Sequence, residues 1–242
     1  MIHTMQRIVP RSLSGQPVMT YALIGTCCAV FLLSPAAGFI SGYGSDDAVR
    51  HAQVAYFRHW GVRPETLWSG ALRPLFTPFT AVFLHGNWMH LLGNLLFLFV
   101  FGGMVEGRMG ALRFTGCYLV IGYAAMLSYA AVHPHSSQTL VGASGAISGV
   151  LGAFLYLFPR ARVTGVYPFL FFLPLRFPAW AVLVFWISLQ WLAARADTDG
   201  PGTAHLTHVI GFALGFLYTW ARFRGEVRVS RPAQATERGP KP

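Results

Sequence analysis

The sequence predicts an all-α, polytopic membrane protein, and three observations predict it. The 242 residues are 54% hydrophobic and only 11% charged, with a mean hydropathy of +0.49, whereas a soluble domain carries roughly 25% charged residues. The charges fall between apolar stretches rather than along them. Those stretches, at 18–40, 79–104, 113–133, 142–158, 179–195 and 203–222, each come near the ~20 residues that a bilayer-crossing helix needs. A six-span helical core over residues 18–222 is expected, with a short fourth span.

The segments outside the spans follow from their composition. Residues 1–17 are polar and carry no small-residue cleavage site, so the first span is expected to be retained and the segment to be cytoplasmic. Loop 41–78, with Trp60 and Trp68, reads as ordered structure in the membrane interface. Val163 to Pro178 is apolar but broken by three prolines, which predicts an interfacial or partly buried loop instead of a span. The basic tail 223–242, with Pro232, Pro240 and Pro242, reads as disordered.

A net charge of +10 could point to nucleic acid, but here the basic residues follow the membrane. Of the 18 Lys and Arg, Arg50, Arg58, Arg63, Arg73 and Arg195 fall on one side; the rest share the side of the N-terminus. Basic loops stay inside, so both termini are expected in the cytoplasm, in a bacterial inner membrane, with no nucleic-acid partner. Cys27, Cys28 and Cys117 all lie in apolar spans, where packing is a better reading than a disulfide framework.

Polar groups in hydrocarbon are costly and usually functional. With six spans, the second, fourth and sixth run from outside to inside. Ser144 then lies at the start of the fourth, His208 about 6 residues (~9 Å) into the sixth, and His90 and Asn94 in the second, all toward the outer half of the membrane. A hydroxyl needs a base within hydrogen-bond reach to act as a nucleophile. None of the eight acidic residues sits at the depth of His208, so the pattern predicts a Ser–His dyad rather than a triad. His90 and Asn94, four apart, share one helical face and could donate to an oxyanion together with the N–H of Ser144.

Four ordered segments then make the pattern specific: His85-Gly86-Asn87-Trp88-Met89-His90-Leu91-Leu92-Gly93-Asn94, Gly102-Gly103-Met104-Val105-Glu106, Gly142-Ala143-Ser144-Gly145-Ala146, and His208-Val209-Ile210-Gly211 with Gly215. In these the chain resembles the rhomboid family of intramembrane serine proteases over residues 18–222. The resemblance implies Ser144 as nucleophile, His208 as general base, and His90 and Asn94 as oxyanion stabilisers, with Gly142 and His85 grouped beside them. It implies that Glu106 and Arg108 organise the turn after the second span, and that Gly145, Gly211 and Gly215 are structural. It also implies a hydrated cavity closed by the loop before the sixth span, substrate access near the fifth, and a preference for a small residue before the scissile bond. The expected partners are the lipid bilayer and transmembrane-helix substrates, the expected state a monomer or weak oligomer, and no cofactor or metal is implied. Two positions depart from the family pattern. Ser148 stands where an aromatic often packs against the histidine, and Ile210 where glycine is common, which predicts looser packing of spans four and six there.

Blander readings stand beside these. Gly142, Gly145, Gly149 and Gly152, like Gly211 and Gly215, have the spacing of a helix-packing face. His205 reads as a satisfied structural histidine, and Ser148 and Thr207 as bonded back to their own helices. His85, His90, His205 and His208 could instead hold a haem or metal, although no carboxylate or cysteine completes a mixed site. The rivals to proteolysis are a transporter using the intramembrane His and Asn and a non-catalytic relative that escorts transmembrane helices.

Overall fold

The computed structural model describes residues 16–39, 46–167, 173–196 and 204–229. The first fifteen residues, 40–45 of the long loop, the loop 197–203 before the last helix and the tail from 230 lie outside the described residues.

Helix α1 (Val18–Leu32) follows Pro17, which offers no side-chain cap. Its early N–H groups, orphaned at any helix start, are taken by a residue far along the chain. The Glu106 carboxylate accepts from the backbone N–H of Met19 (3.0 Å) and Thr20 (2.7 Å) and from the Thr20 hydroxyl (2.7 Å). A negative charge is favoured at the positive end of the helix dipole. The Glu106 side chain thus reaches back to the first helix, while Arg108 sits half-buried in the last turn of its own helix.

Loop 41–78 is ordered where it is described, as α2 (Asp46–Trp60), α3 (Pro64–Leu67) and the start of α4 (Leu72–Ala81). The second apolar stretch does not begin its span at 79. Residues 79–81 finish α4, and α5 (Trp88–Phe97) starts only where the Asn87 side chain accepts from the N–H of His90 at 2.8 Å, an N-cap. A π-helical turn, Leu98–Gly102, joins α5 to α6 (Gly103–Met109). Helix α7 (Ala111–Val132) and α8 (Ser144–Leu157) follow.

The proline-broken segment, where it is described, is extended and paired rather than a loop; residues 168–172 lie outside the described residues. Strands β1 (Arg162–Tyr167) and β2 (Leu173–Pro178) pair antiparallel, from Arg162 with Pro178 to Tyr167 with Leu173. In a two-stranded ribbon each strand keeps one unpaired edge, where proline costs no ladder bond. Helix α9 (Ala179–Ala196) and α10 (Ala204–Val229) complete the chain. Helix α10 runs past Arg222, a correction to the expected disorder of 223–229. Phe223 is fully buried, and Arg222 and Arg224 lie over the rings of Phe223 (5.6 Å) and Trp220 (5.7 Å), so the basic residues gain cation–π partners by staying helical.

Trp88–Met109, Ala111–Val132 and Ala179–Ala196 are long and apolar enough to cross a membrane by length and composition; Val18–Leu32 and Ser144–Leu157 are shorter apolar helices. Helix α9 buries only Ala179 and Leu183 and exposes Trp180, Phe185, Leu189 and Leu192, a surface suited to lipid. Helix α8 is the opposite: every residue from Gly145 to Phe154 is buried, chiefly against α10 and α7. Hydrophobicity does not drive helices together in lipid, so close van der Waals packing must. A Cβ on Gly211 would lie 2.1 Å from the Gly145 carbonyl oxygen, and one on Gly215 1.9 Å from that of Gly149. The two helices therefore meet backbone to backbone, and the looser packing expected at Ile210 is not found.

Candidate active site

At 14 residues, α8 is only ~21 Å long, short of the ~30 Å hydrocarbon thickness. Its first residue, Ser144, can thus begin below a membrane surface, provided that the chain leading to it satisfies its backbone groups within the protein. It does so. Val62 and Leu140 exchange backbone bonds of 3.0 and 2.8 Å, Glu65 N–H donates to Ser136 O (3.2 Å), and Gly142 N–H donates to Ala81 O (2.9 Å). The first bond of α8 runs from Ile147 N–H to Ala143 O (2.9 Å). The N–H groups of Ser144, Gly145 and Ala146 precede it and have no helical acceptor.

Gly142 connects this helix start to α5. Its φ of +126° belongs to the region that favours glycine. A Cβ there would lie 2.7 Å from Nε2 of His90 and 3.8 Å from Oγ of Ser144. The bare Cα is what lets the imidazole and the hydroxyl share one corner.

On the α5 side, His90 Nδ1 faces the N–H of Gly86 at a long 3.5 Å. Accepting there leaves the proton of a neutral ring on Nε2, the atom beside Gly142. Asn94 is buried, and its Nδ2 makes no hydrogen bond within the protein. His85 is buried with its ring 5.1 Å from that of His90. Its Nδ1 lies 3.3 Å from Phe83 O, and a carbonyl only accepts, so Nδ1 carries the proton while buried Nε2 is unpaired.

On the α10 side, Thr207 packs against Gly145: a Cβ on Gly145 would lie 3.7 Å from both the Cβ and the carbonyl oxygen of Thr207. His208, the next residue, stands next to the start of α8. Its Nε2 is buried without a hydrogen-bond partner. Its Nδ1 lies 2.8 Å from Gln190 Oε1 on α9. The Trp186 ring, one turn earlier on α9, stacks on the imidazole at 5.9 Å and 29°. Ser148 gives neither contact; its hydroxyl donates to Ser144 O at 2.7 Å, the back-bond expected of it. The aromatic that α8 lacks is supplied by α9.

The structure thus gathers Gly142, Ser144 and His90 in one corner. It sets His85 and Asn94 on the same side, and His208 behind the start of α8. Gly145, Gly211 and Gly215 make the close helix contact, and Glu106 and Arg108 lie apart from the site, near the start of α1 and the end of α6. Sequence reasoning missed Gln190 and Trp186. The signal for Gln190 was available, since it is the one amide in the fifth apolar stretch; nothing local distinguishes Trp186 from a lipid-facing aromatic. His205, read as a satisfied histidine, does have a partner, Gln190 Oε1 at 2.8 Å.

The comparisons bear on what this arrangement is. The rhomboid domain matches residues 73–225. The chain is 32% identical to "Rhomboid protein 1, mitochondrial" of Saccharomyces cerevisiae over 145 residues, which is 58% of this chain and 40% of that one. It is 44% identical to "Rhomboid-like protein 11, chloroplastic" of Arabidopsis thaliana over 71 residues, 29% of this chain and 25% of that one. It is 26% identical to "Rhomboid protease GlpG" of Klebsiella pneumoniae over 197 residues, 81% of this chain and 60% of that one. The chain spans between a quarter and three-fifths of these relatives' length. With a helical, membrane-type fold and a family match covering most of its length, the chain belongs to the rhomboid family.

Proposed function

We propose that this protein is an intramembrane serine endopeptidase that hydrolyses peptide bonds in or beside transmembrane segments of other membrane proteins. Ser144 Oγ attacks the scissile carbonyl while Nε2 of His208 takes its proton. The developing oxyanion is met by Asn94 Nδ2, by the Nε2–H of His90 and by the N–H of Ser144, donors fixed before the charge appears. His208 then returns the proton to the leaving amine, and water resolves the acyl-enzyme with the same base. The observation that carries this reading is a pair of buried polar atoms without partners, Nδ2 of Asn94 and Nε2 of His208, on α5 and α10, two helices that pack with the helix Ser144 begins. Buried polar groups are almost always bonded, and these two are a donor and a base. Similarity to GlpG and the other rhomboids supports the same reading.

The enzyme works in a six-span core with both termini in the cytoplasm of a bacterial inner membrane. A helical substrate hides its carbonyls in hydrogen bonds, so a cleavable segment unwinds easily, with Gly or Pro near the site and a small residue before the scissile bond. The test is cleavage of a single-span reporter by purified protein in detergent, comparing wild type with Ser144→Ala and His208→Ala. One defined product from wild type alone is expected. Equal cleavage by all three marks a contaminant, and no cleavage by folded wild type favours the escort or transporter reading.

A further inference from the structure

Gln190 and the two histidines it joins carry an inference that rests on the protease reading and deepens it. Nδ1 of His208 and Nδ1 of His205 both lie 2.8 Å from the same atom, Oε1 of Gln190. A carbonyl oxygen has two lone pairs and no proton, so it can satisfy both rings only as an acceptor, and each imidazole then carries its proton on Nδ1. For His208 this leaves a lone pair on Nε2, the buried atom with no partner. The opposite arrangement, with the amide nitrogen turned toward the rings, would put the proton of His208 on Nε2. A buried N–H with nothing to donate to would result, and the ring would have no base to offer.

We infer that Gln190 is the positioning residue of this active site, fixing the tautomer and plane of His208, and that His205 holds the Gln190 amide in the orientation this requires. Helix α9 grips the imidazole twice within one turn, through the Trp186 ring on its face and the Gln190 oxygen on its Nδ1. The remaining polar residue of that stretch, Ser188, is bonded to Val184 O at 2.8 Å and takes no part. Because Nδ1 carries a proton in the neutral ring and in the imidazolium alike, the bond to Gln190 persists when His208 takes the serine proton. The amide does here, as a neutral acceptor, what a carboxylate does in a triad.

The test uses the full chain in detergent, with two substitutions of similar length. Gln190→Met removes the acceptor; Gln190→Glu keeps it. The readouts are kcat and KM on the reporter, the rate at which a fluorophosphonate labels Ser144, and the thermal midpoint. In Gln190→Met, kcat and labelling rate are expected to fall about 10–10²-fold with KM unchanged, a share of what general-base catalysis contributes. In Gln190→Glu both should recover to within a few-fold of wild type. A wild-type kcat in Gln190→Met overturns the inference, as does a loss in Gln190→Glu equal to that in Gln190→Met. Nitrogen-15 NMR of the wild-type imidazoles, with the His208 signal identified by its loss in His208→Ala, tests the tautomer even if Gln190→Met fails to fold. A protonated Nδ1 is expected, and a neutral ring protonated at Nε2 overturns the inference. Folded wild type that neither cleaves nor labels overturns the protease reading itself, and this inference with it.

Discussion

The Cα of Gly142 lies so close to the imidazole of His90 that a Cβ would stand 2.7 Å from its Nε2. One missing methyl group therefore sets the distance between the helix that carries Ser144 and the face that carries His90. Gly142→Ala meets two obstacles at once, the ring and a φ of +126°. The strained backbone alone costs about 1–3 kcal/mol. We expect cleavage to fall at least about 10-fold through displacement of His90, with a lower thermal midpoint. Wild-type kcat in this variant would show that His90 need not sit there.

Asn94→Ala removes a single donor from the proposed oxyanion site. Loss of one such donor typically costs about 10²–10³ in rate, and the loss should appear in kcat with KM little changed. A rise in KM alone would make Asn94 a substrate-binding group and remove it from the transition state.

Gly215→Ala and Gly225→Ala should differ sharply although both lie in α10. A Cβ at Gly215 would stand 1.9 Å from the Gly149 carbonyl, whereas at Gly225 nothing lies within 4 Å. The first must push α10 off α8, at about 1–3 kcal/mol; the second should be neutral or stabilising by up to ~1 kcal/mol. Thermal unfolding in detergent measures both, and similar midpoints for the two would refute the backbone contact.

Glu106→Ala leaves the start of α1 without its carboxylate. Hydrogen bonds to a charged group are worth about 1.5–3 kcal/mol, so the thermal midpoint should drop clearly. Thr20→Val, which removes one of the three bonds, should drop it less. An unchanged midpoint in Glu106→Ala would mean that α1 is held by its apolar face alone.

Much of this protein was legible in its residues. Apolar length marked the helical stretches because a helix in lipid must satisfy its own backbone. Ser144, His208, His90 and Asn94 stood out because polar side chains in such stretches need a reason. The strand pair 162–167 and 173–178 was not legible: the prolines of that segment read as breakers, and only the pairing of one strand with the other reveals the extended structure. The start of α5 at Trp88 was hidden too, since hydropathy does not stop where the Asn87 cap does.

What the sequence by itself determined is the class of fold, the order of its helices and the identity of the polar residues within them, since these follow from hydropathy and spacing along one chain. What only the tertiary structure decided is which groups answer one another across helices. Glu106 caps α1 from 86 residues away, Trp186 stacks on the imidazole of His208, and Oε1 of Gln190 lies 2.8 Å from its Nδ1. Such pairings depend on the angle and depth at which separate helices pack, and no local pattern encodes either.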